Sequence, residues 1–225
     1  FWTGRLSAGI GIGYTRADAN VDTDQTKNGG ADSNILSAKL YATYLLESGL
    51  YMDAIAGYSY FDTNAYYYDN ADIKNEFDFN QNAYHVSLAA GYQIPLSHSF
   101  TLDPQISASY INLMGTGFRD SAGFDGNYDR TESLQGSVAL AAKYKVGSYE
   151  PYVRLAYHYE FEDNANILYD NVAYASELMG SGGEFALGIT GSMAQSARLF
   201  AEGTYQIGVN DLQSYGIMAG IRLTF

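Results

Sequence analysis

Along most of this chain apolar residues fall on every second position, and the positions between them are small or polar. The last segment shows the rule most clearly. Tyr215, Ile217, Ala219, Ile221, Leu223 and Phe225 alternate with Gly216, Met218, Gly220, Arg222 and Thr224. A period of two sends successive side chains to opposite faces of an extended strand. Each such segment is therefore read as a strand with one wholly apolar face. About ten segments follow the rule, the first near residues 5–16, where Leu6, Ala8, Ile10, Ile12 and Tyr14 oppose Arg5, Ser7, Gly9, Gly11 and Gly13. The others lie near residues 36–46, 50–60, 84–94, 100–110, 134–144, 152–161, 184–193, 199–207 and 215–225.

The connections alternate in length. Short turns are expected at Glu47-Ser48-Gly49 and at residues 95–99, 147–150 and 194–196. Long polar loops are expected at residues 17–33, 63–81, 114–133 and 162–182, with a shorter link at 209–214. Short and long connections in alternation make an up-and-down antiparallel β-barrel, with turns at one rim and loops at the other. Two solvents suit such a barrel. A lipocalin-like barrel or a sandwich in water would turn the apolar faces inward, and a barrel in lipid would turn them outward. Alternation alone does not choose.

Two features choose lipid. The apolar faces end repeatedly in Tyr or Phe, and the chain holds 22 Tyr, as aromatic girdles at the edges of a hydrocarbon band require. The opposite faces carry Gly, Ala, Ser and scattered ions, which suit a wet lumen. No run of about 18 apolar residues exists to form a transmembrane helix. The mean hydropathy of −0.19 does not oppose a membrane barrel, because half of every strand is polar. The fold expected over residues 1–225 is thus all-β: one transmembrane up-and-down antiparallel barrel domain with about ten strands visible.

The formal charge is −13, carried mostly by the long loops. Nucleic acid is excluded as a partner, since a phosphate-binding face needs clustered Lys and Arg. No cysteine is present, so disulfides do not enter the argument. The chain starts at Phe1 with neither an initiator Met nor a signal peptide, so its export signal is expected upstream.

The ions on the polar faces form the candidate functional surface. Arg5, Lys39, Asp53, Asp103, Lys143, Arg154, Glu160, Glu184, Glu202 and Arg222 are expected to line the lumen. Opposite charges on neighbouring strands sit about 5 Å apart and can pair. They make either a hydrophilic conduit for a polypeptide or ties that hold the wall together. The glycines at 9, 11, 13, 57, 91, 188 and 220 face the same way and either clear space or relieve curvature. His158 and Glu160 share one face near the outer end of their strand, and Asp62 ends another. This is weakly similar to the His-and-acid sites of omptin-type outer-membrane proteases, but a lone His amid many acids is expected by chance. His85 and His98 have no spaced partners. No catalytic residue, metal site or cofactor is assigned. Tyr66-Tyr67-Tyr68, with Asp69, Asp72, Glu76 and Asp78, occupies an outer loop that is either solvated or binds a receptor or lipopolysaccharide-bridging cations.

Three stretches resemble the C-terminal translocator, or β-domain, of classical autotransporters, the type V secretion proteins of Gram-negative bacteria. They are residues 9–22, from Gly9-Ile10-Gly11-Ile12-Gly13-Tyr14 into an acidic loop; Phe100-Thr101-Leu102-Asp103-Pro104-Gln105 followed by Tyr110; and Pro151-Tyr152-Val153-Arg154-Leu155 continuing to His158-Tyr159-Glu160-Phe161. The closing strand over residues 215–225 fits as well. The resemblance implies an outer-membrane anchor, non-enzymatic, that exports its own upstream passenger. Tyr215, Ile217, Ile221, Leu223 and Phe225 would be the membrane-insertion signal read by the barrel-assembly machinery, and lipid and lipopolysaccharide would surround the wall. The family barrel has twelve strands and a helix in its lumen, so two strands and that helix are expected to lie outside this chain. Both ends of the segment would be periplasmic. The other readings are a stand-alone outer-membrane porin or adhesin and, further off, an omptin-like protease.

Overall fold

The computed structural model describes residues 4–21, 27, 29–164, 166–169, 172–175, 180–194, 197–208 and 213–223. Fifteen strands form among them: β1 (Gly4–Val21), β2 (Gly29–Leu46), β3 (Leu50–Tyr68), β4 (Lys74–Tyr92), β5 (Ile94–Pro95), β6 (Phe100–Leu113), β7 (Thr116–Arg119), β8 (Asp125–Tyr128), β9 (Thr131–Tyr144), β10 (Tyr149–Asn164), β11 (Asn166–Tyr169), β12 (Val172–Ala175), β13 (Gly182–Ala194), β14 (Ala197–Gly208) and β15 (Gln213–Leu223). The ten long strands make one antiparallel sheet in the order β1-β2-β3-β4-β6-β9-β10-β13-β14-β15, and the two-residue β5 pairs with β6. Every long strand thus lies beside its neighbours in sequence. The sheet is a half-barrel. Among the described residues β1 and β15 each pair on one side only.

Burial decides which solvent each face meets. Ile10, Leu88 and Leu155, on three different strands, are 73%, 59% and 59% exposed. The buried side chains are largely polar, with Asp103 wholly enclosed and Gln81, Asn112 and Glu184 close to it in burial. Water would not tolerate this inversion, because the exposed residues are the very ones the hydrophobic effect removes from it. Hydrocarbon does tolerate it, and requires every backbone polar group to be paired in a ladder. The register keeps the division intact from strand to strand. Ser37 faces Gly13 and Ser59, and Ser107 faces Ala89 and Ser137.

The strands run further than the apolar pattern. Both β3 and β4 have 19 residues, whereas a tilted strand crosses a bilayer in about 9–11. The expected long loop at 63–81 is mostly ladder, with Tyr68 opposite Lys74 and a turn between them in which the Asp69 carboxylate accepts from the Ala71 and Ile73 amides. Within it Tyr66 and Tyr68 meet edge to face, and Lys74 lies over the Tyr66 ring at 4.5 Å. Loops 17–33, 114–133 and 162–182 are likewise partly ordered as strand. At the opposite rim the turns are tight. Gly49 closes the first of them at φ 93°, a backbone region that a side chain disfavours, and a Cβ there would lie 2.7 Å from the Gln93 carbonyl oxygen.

Four short strands from two of these loops form a second sheet in the order β7-β8-β11-β12. It is fastened to the outer end of β4 by rings. Phe118 of β7 stacks on Phe77 at 4.4 Å between centroids, and Tyr128 of β8 meets Phe79 at 4.7 Å. Tyr67 donates to the Asp120 carboxylate at 2.7 Å, and the Ser121 amide donates to the Glu76 carbonyl at 2.9 Å.

Candidate functional site: the lumen face

Two clusters gather five of the ten ions expected at the lumen. In the first, Asp103 of β6 forms an ion pair with Lys143 of β9. Its carboxylate also accepts from the Tyr51 hydroxyl of β3 at 2.8 Å and lies 3.5 Å from the Gln105 amide, which itself donates to Tyr51. Asp103 has no contact with water, so this carboxylate depends on protein donors for its charge. Three strands are thereby tied across the wall.

The second cluster joins β10, β13 and β14. Arg154 lies 2.9 Å from Glu184 and 3.3 Å from Glu202. Tyr152 donates to Glu202 at 2.6 Å, and Gln206 donates to Glu184 at 2.6 Å. His158 sits 3.5 Å from the same Glu184 carboxylate, with neither ring nitrogen in a hydrogen bond. The triad suggested by His158, Glu160 and Asp62 is not assembled. Glu160 instead accepts from Ser133 at 3.0 Å to each oxygen. Asp62 is on the outward face of β3, in register with Asn34 and Asn80.

The remaining expected residues are placed as follows. Asp53 accepts from Thr43 at 2.5 Å. Lys39 lies along the backbone of Gly11 on the next strand. Arg5 is exposed on the edge strand β1, opposite Leu45. Of Arg222 and Leu223 only the backbone is described, opposite Arg198 and Ala197, and Phe225 lies outside the described residues. Tyr215, Ile217 and Ile221 face outward, Ile217 at 91% exposure. Residues 195–196 of one expected turn and 209–212 of the shorter link also lie outside the described residues.

The inward glycines have a purpose that their spacing did not reveal. Several are register partners of a large lumen side chain on the adjacent strand, which lies across them. Tyr51 covers Gly91, Tyr152 covers Gly188 and Phe200 covers Gly220. A Cβ at Gly91 or Gly188 would come within 2.4 or 2.3 Å of the tyrosine ring. These seats hold the Tyr51 and Tyr152 hydroxyls against Asp103 and Glu202. Gly91 and Gly188 thus have a packing role in addition to leaving space or relaxing the backbone. They fix the angle of rings that terminate the charge networks.

Outside the hydrocarbon band, Glu132 at the outer end of β9 accepts from the Tyr110 hydroxyl, from Asn112 at 3.1 Å and from Arg130 at 2.7 Å. These donors hold its carboxyl below the usual carboxylate range, the Tyr110 hydroxyl foremost. Further out, Arg16 pairs with Asp32 at 3.1 Å and Asp18 at 3.5 Å. The Asp32 carboxyl is lowered, by its contact with Asp18 first and Arg16 second, while that of Asp18 is raised by Asp32.

A wall that is greasy outside, cross-tied by ions inside and ringed with tyrosine defines an outer-membrane β-barrel. The family model described as the autotransporter beta-domain matches residues 1–204, and this chain belongs to that family. Among curated relatives, Autotransporter CRAC of Citrobacter rodentium (strain ICC168) is 25% identical over 230 residues, covering 98% of this chain and 14% of that protein. Among solved structures, the beta domain of the Bordetella autotransporter BrkA superposes with a TM-score of 0.75 at 19% identity, over 99% of this chain and 84% of that one. The translocator domain of autotransporter NalP from Neisseria meningitidis gives 0.69 at 14% identity, over 100% and 84%. The chain therefore corresponds to a small part of the curated relative and to most of each translocator domain. Its role is that of translocator and anchor in type V secretion, at the bacterial outer membrane.

Proposed function

We propose that this half-barrel carries a passenger encoded upstream of Phe1 to the cell surface and remains in the outer membrane as its anchor, without catalysing a reaction. The observation that carries the reading is the inverted burial, with leucine and isoleucine outside and a sealed, ion-paired Asp103 within. A lumen face carrying paired ions and hydroxyls offers a traversing chain hydrogen-bond partners along its length. Two further strands and a lumen helix from the same polypeptide complete the barrel. The edges support this, since unpaired strand edges in hydrocarbon cost several kcal/mol per polar group, and among the described residues β1 and β15 each pair on one side only. The tight turns lie at the periplasmic rim, together with both ends of the segment. Tyr215, Ile217 and Ile221 on the outward face of β15, together with Leu223 and Phe225 of the sequence, are the signal for the barrel-assembly machinery, and lipopolysaccharide packs against the outer aromatic girdle.

The test is display of an epitope placed upstream of Phe1 in the complete parent protein. Surface labelling should vanish when residues 1–225 are removed, and should drop severalfold with Phe225→Ser. Labelling that survives removal of the half-barrel would end the proposal.

A further inference from the structure

The second sheet stands on the lumen side of the wall, and its position follows from register. The β3–β4 ladder runs without a shift from Leu50↔Tyr92 to Tyr68↔Lys74. Phe77 and Phe79 therefore share a face with Gln81, His85 and Ser87, which is the lumen face. Phe118 and Tyr128 pack on those two rings. The lumen-facing Gln81 also donates to the Met114 carbonyl at 3.3 Å, where the chain leaves β6 for β7. So the β7–β8 hairpin folds inward at the outer end of β6 and stands inside the raised β3–β4 hairpin. A second sheet layer lies about 10 Å from the first, and β8 extends this layer toward β10 through its pairing with β11.

We infer that the β7–β8 hairpin is a fixed lid that narrows the outer mouth of the lumen on the β4–β6–β9 side and keeps large solutes out. Its two faces differ accordingly. Phe118 and Tyr128 are turned to the wall, and the ring of Phe118 lies over Gly126, where a Cβ would be 2.0 Å away. The opposite face carries Arg119 and Asp125, which form an ion pair at 3.8 Å and are exposed to the mouth. Asp120 locks the assembly, being almost fully buried while accepting from Tyr67 at 2.7 Å and from the Phe124 amide at 2.9 Å. Ile111, which faces inward below the hairpin, is 45% exposed. This goes beyond passenger export and concerns what the barrel admits once in the membrane.

The experiment places single cysteines in the complete protein at Ile111, under the lid, and at Ser37, on the lumen face of β2 away from it. Intact cells are treated with a small impermeant maleimide and with the same reagent carried on a bulky polymer. The bulky-to-small labelling ratio should be severalfold lower at position 111 than at 37. Replacing residues 116–128 by a short Gly-Ser linker should bring the two ratios together. Phe118→Ala with Asp120→Asn should have an intermediate effect, and resistance of the unheated barrel to detergent reports that each variant is folded. A lumen occupant that shields the two positions unequally is separated from the lid by the hairpin replacement, which removes the difference only if the hairpin causes it. Equal ratios in the unaltered protein, or an unchanged difference in a folded protein that lacks the hairpin, would overturn the lid. Loss of passenger display would bear on export and leave the lid reading to the ratios.

Discussion

Lys143→Met is the most exacting perturbation of the lumen wall. It removes the ammonium from beside a carboxylate that is 0% exposed, while Lys143 itself is 21% exposed. Removing one partner of a buried pair costs about 3–5 kcal/mol, because the surviving charge has lost its compensation without regaining water. Asp103 keeps the Tyr51 hydroxyl at 2.8 Å and a longer contact with Gln105, so the lower end applies. The expected loss of about 3 kcal/mol lowers the folded-to-unfolded ratio roughly a hundredfold. Asp103→Asn should cost less, about 1 kcal/mol, since the freed ammonium can reach lumen water and a neutral amide still accepts from Tyr51. The double variant therefore separates charge from shape. With the carboxylate gone, loss of the ammonium matters little, and the double variant should recover about 2 kcal/mol over Lys143→Met alone. The assay is urea unfolding of the complete protein refolded into lipid vesicles, with the folded fraction read from mobility on unheated gels. If the double variant is no more stable than Lys143→Met, the uncompensated carboxylate is not the cause and the reasoning fails.

Other expectations follow from the same geometry. Gly188→Ala forces the Tyr152 ring off its seat and weakens its 2.6 Å bond to Glu202, for a loss of about 2 kcal/mol in the same urea assay; the equivalent change at Gly183, where a Cβ meets nothing within 4 Å, should leave the midpoint nearly unmoved. Leu155→Arg puts a cation on the lipid face and should cost about 2–4 kcal/mol in vesicles, against little for Leu155→Phe; equal tolerance of both would refute a lipid-facing Leu155. The Glu132 carboxyl is lowered by folding, so its contribution is complete above the ordinary carboxylate range and is lost as pH falls through the folded value. Tyr110→Phe should move that titration upward, as followed by carboxyl-resolved infrared or NMR spectroscopy, and an unmoved titration would remove the hydroxyl as the leading cause.

The membrane-crossing part of the fold was legible because only there do the two faces differ in hydropathy. Beyond the girdle the contrast disappears. Asp62, Asn64 and Tyr66 alternate with Thr63, Ala65 and Tyr67, so the ladder continues to Tyr68 while the apolar signal stops near Tyr60. The second sheet was invisible for a related reason. Its strands have four residues each, and β7 and β8 take their order from rings on β4 that are distant in sequence. At the lumen, alternation identified which ions face inward but could not pair them. Pairing needs register, which the turns set residue by residue, and a shift of one residue turns a strand's faces over. His158 shows the cost. Glu160 is its neighbour two residues along the same strand, yet the carboxylate it meets is Glu184 across the ladder. The glycine seats obey the same limit, since Gly91 has meaning only once it is known to lie opposite Tyr51.

The β8–β11 pairing has a consequence for the order of assembly. Among the described residues long strands meet only their sequence neighbours, and such closures need less search because fewer residues separate the partners. Gly126 opposite Tyr169 is different, because everything in β9 and β10 lies between them. That junction must wait for some forty intervening residues to emerge and find their places. A nascent chain halted after β9 would hold its first six long strands without this seam, and the seam would be a late event by which complete assembly at the outer rim could be timed.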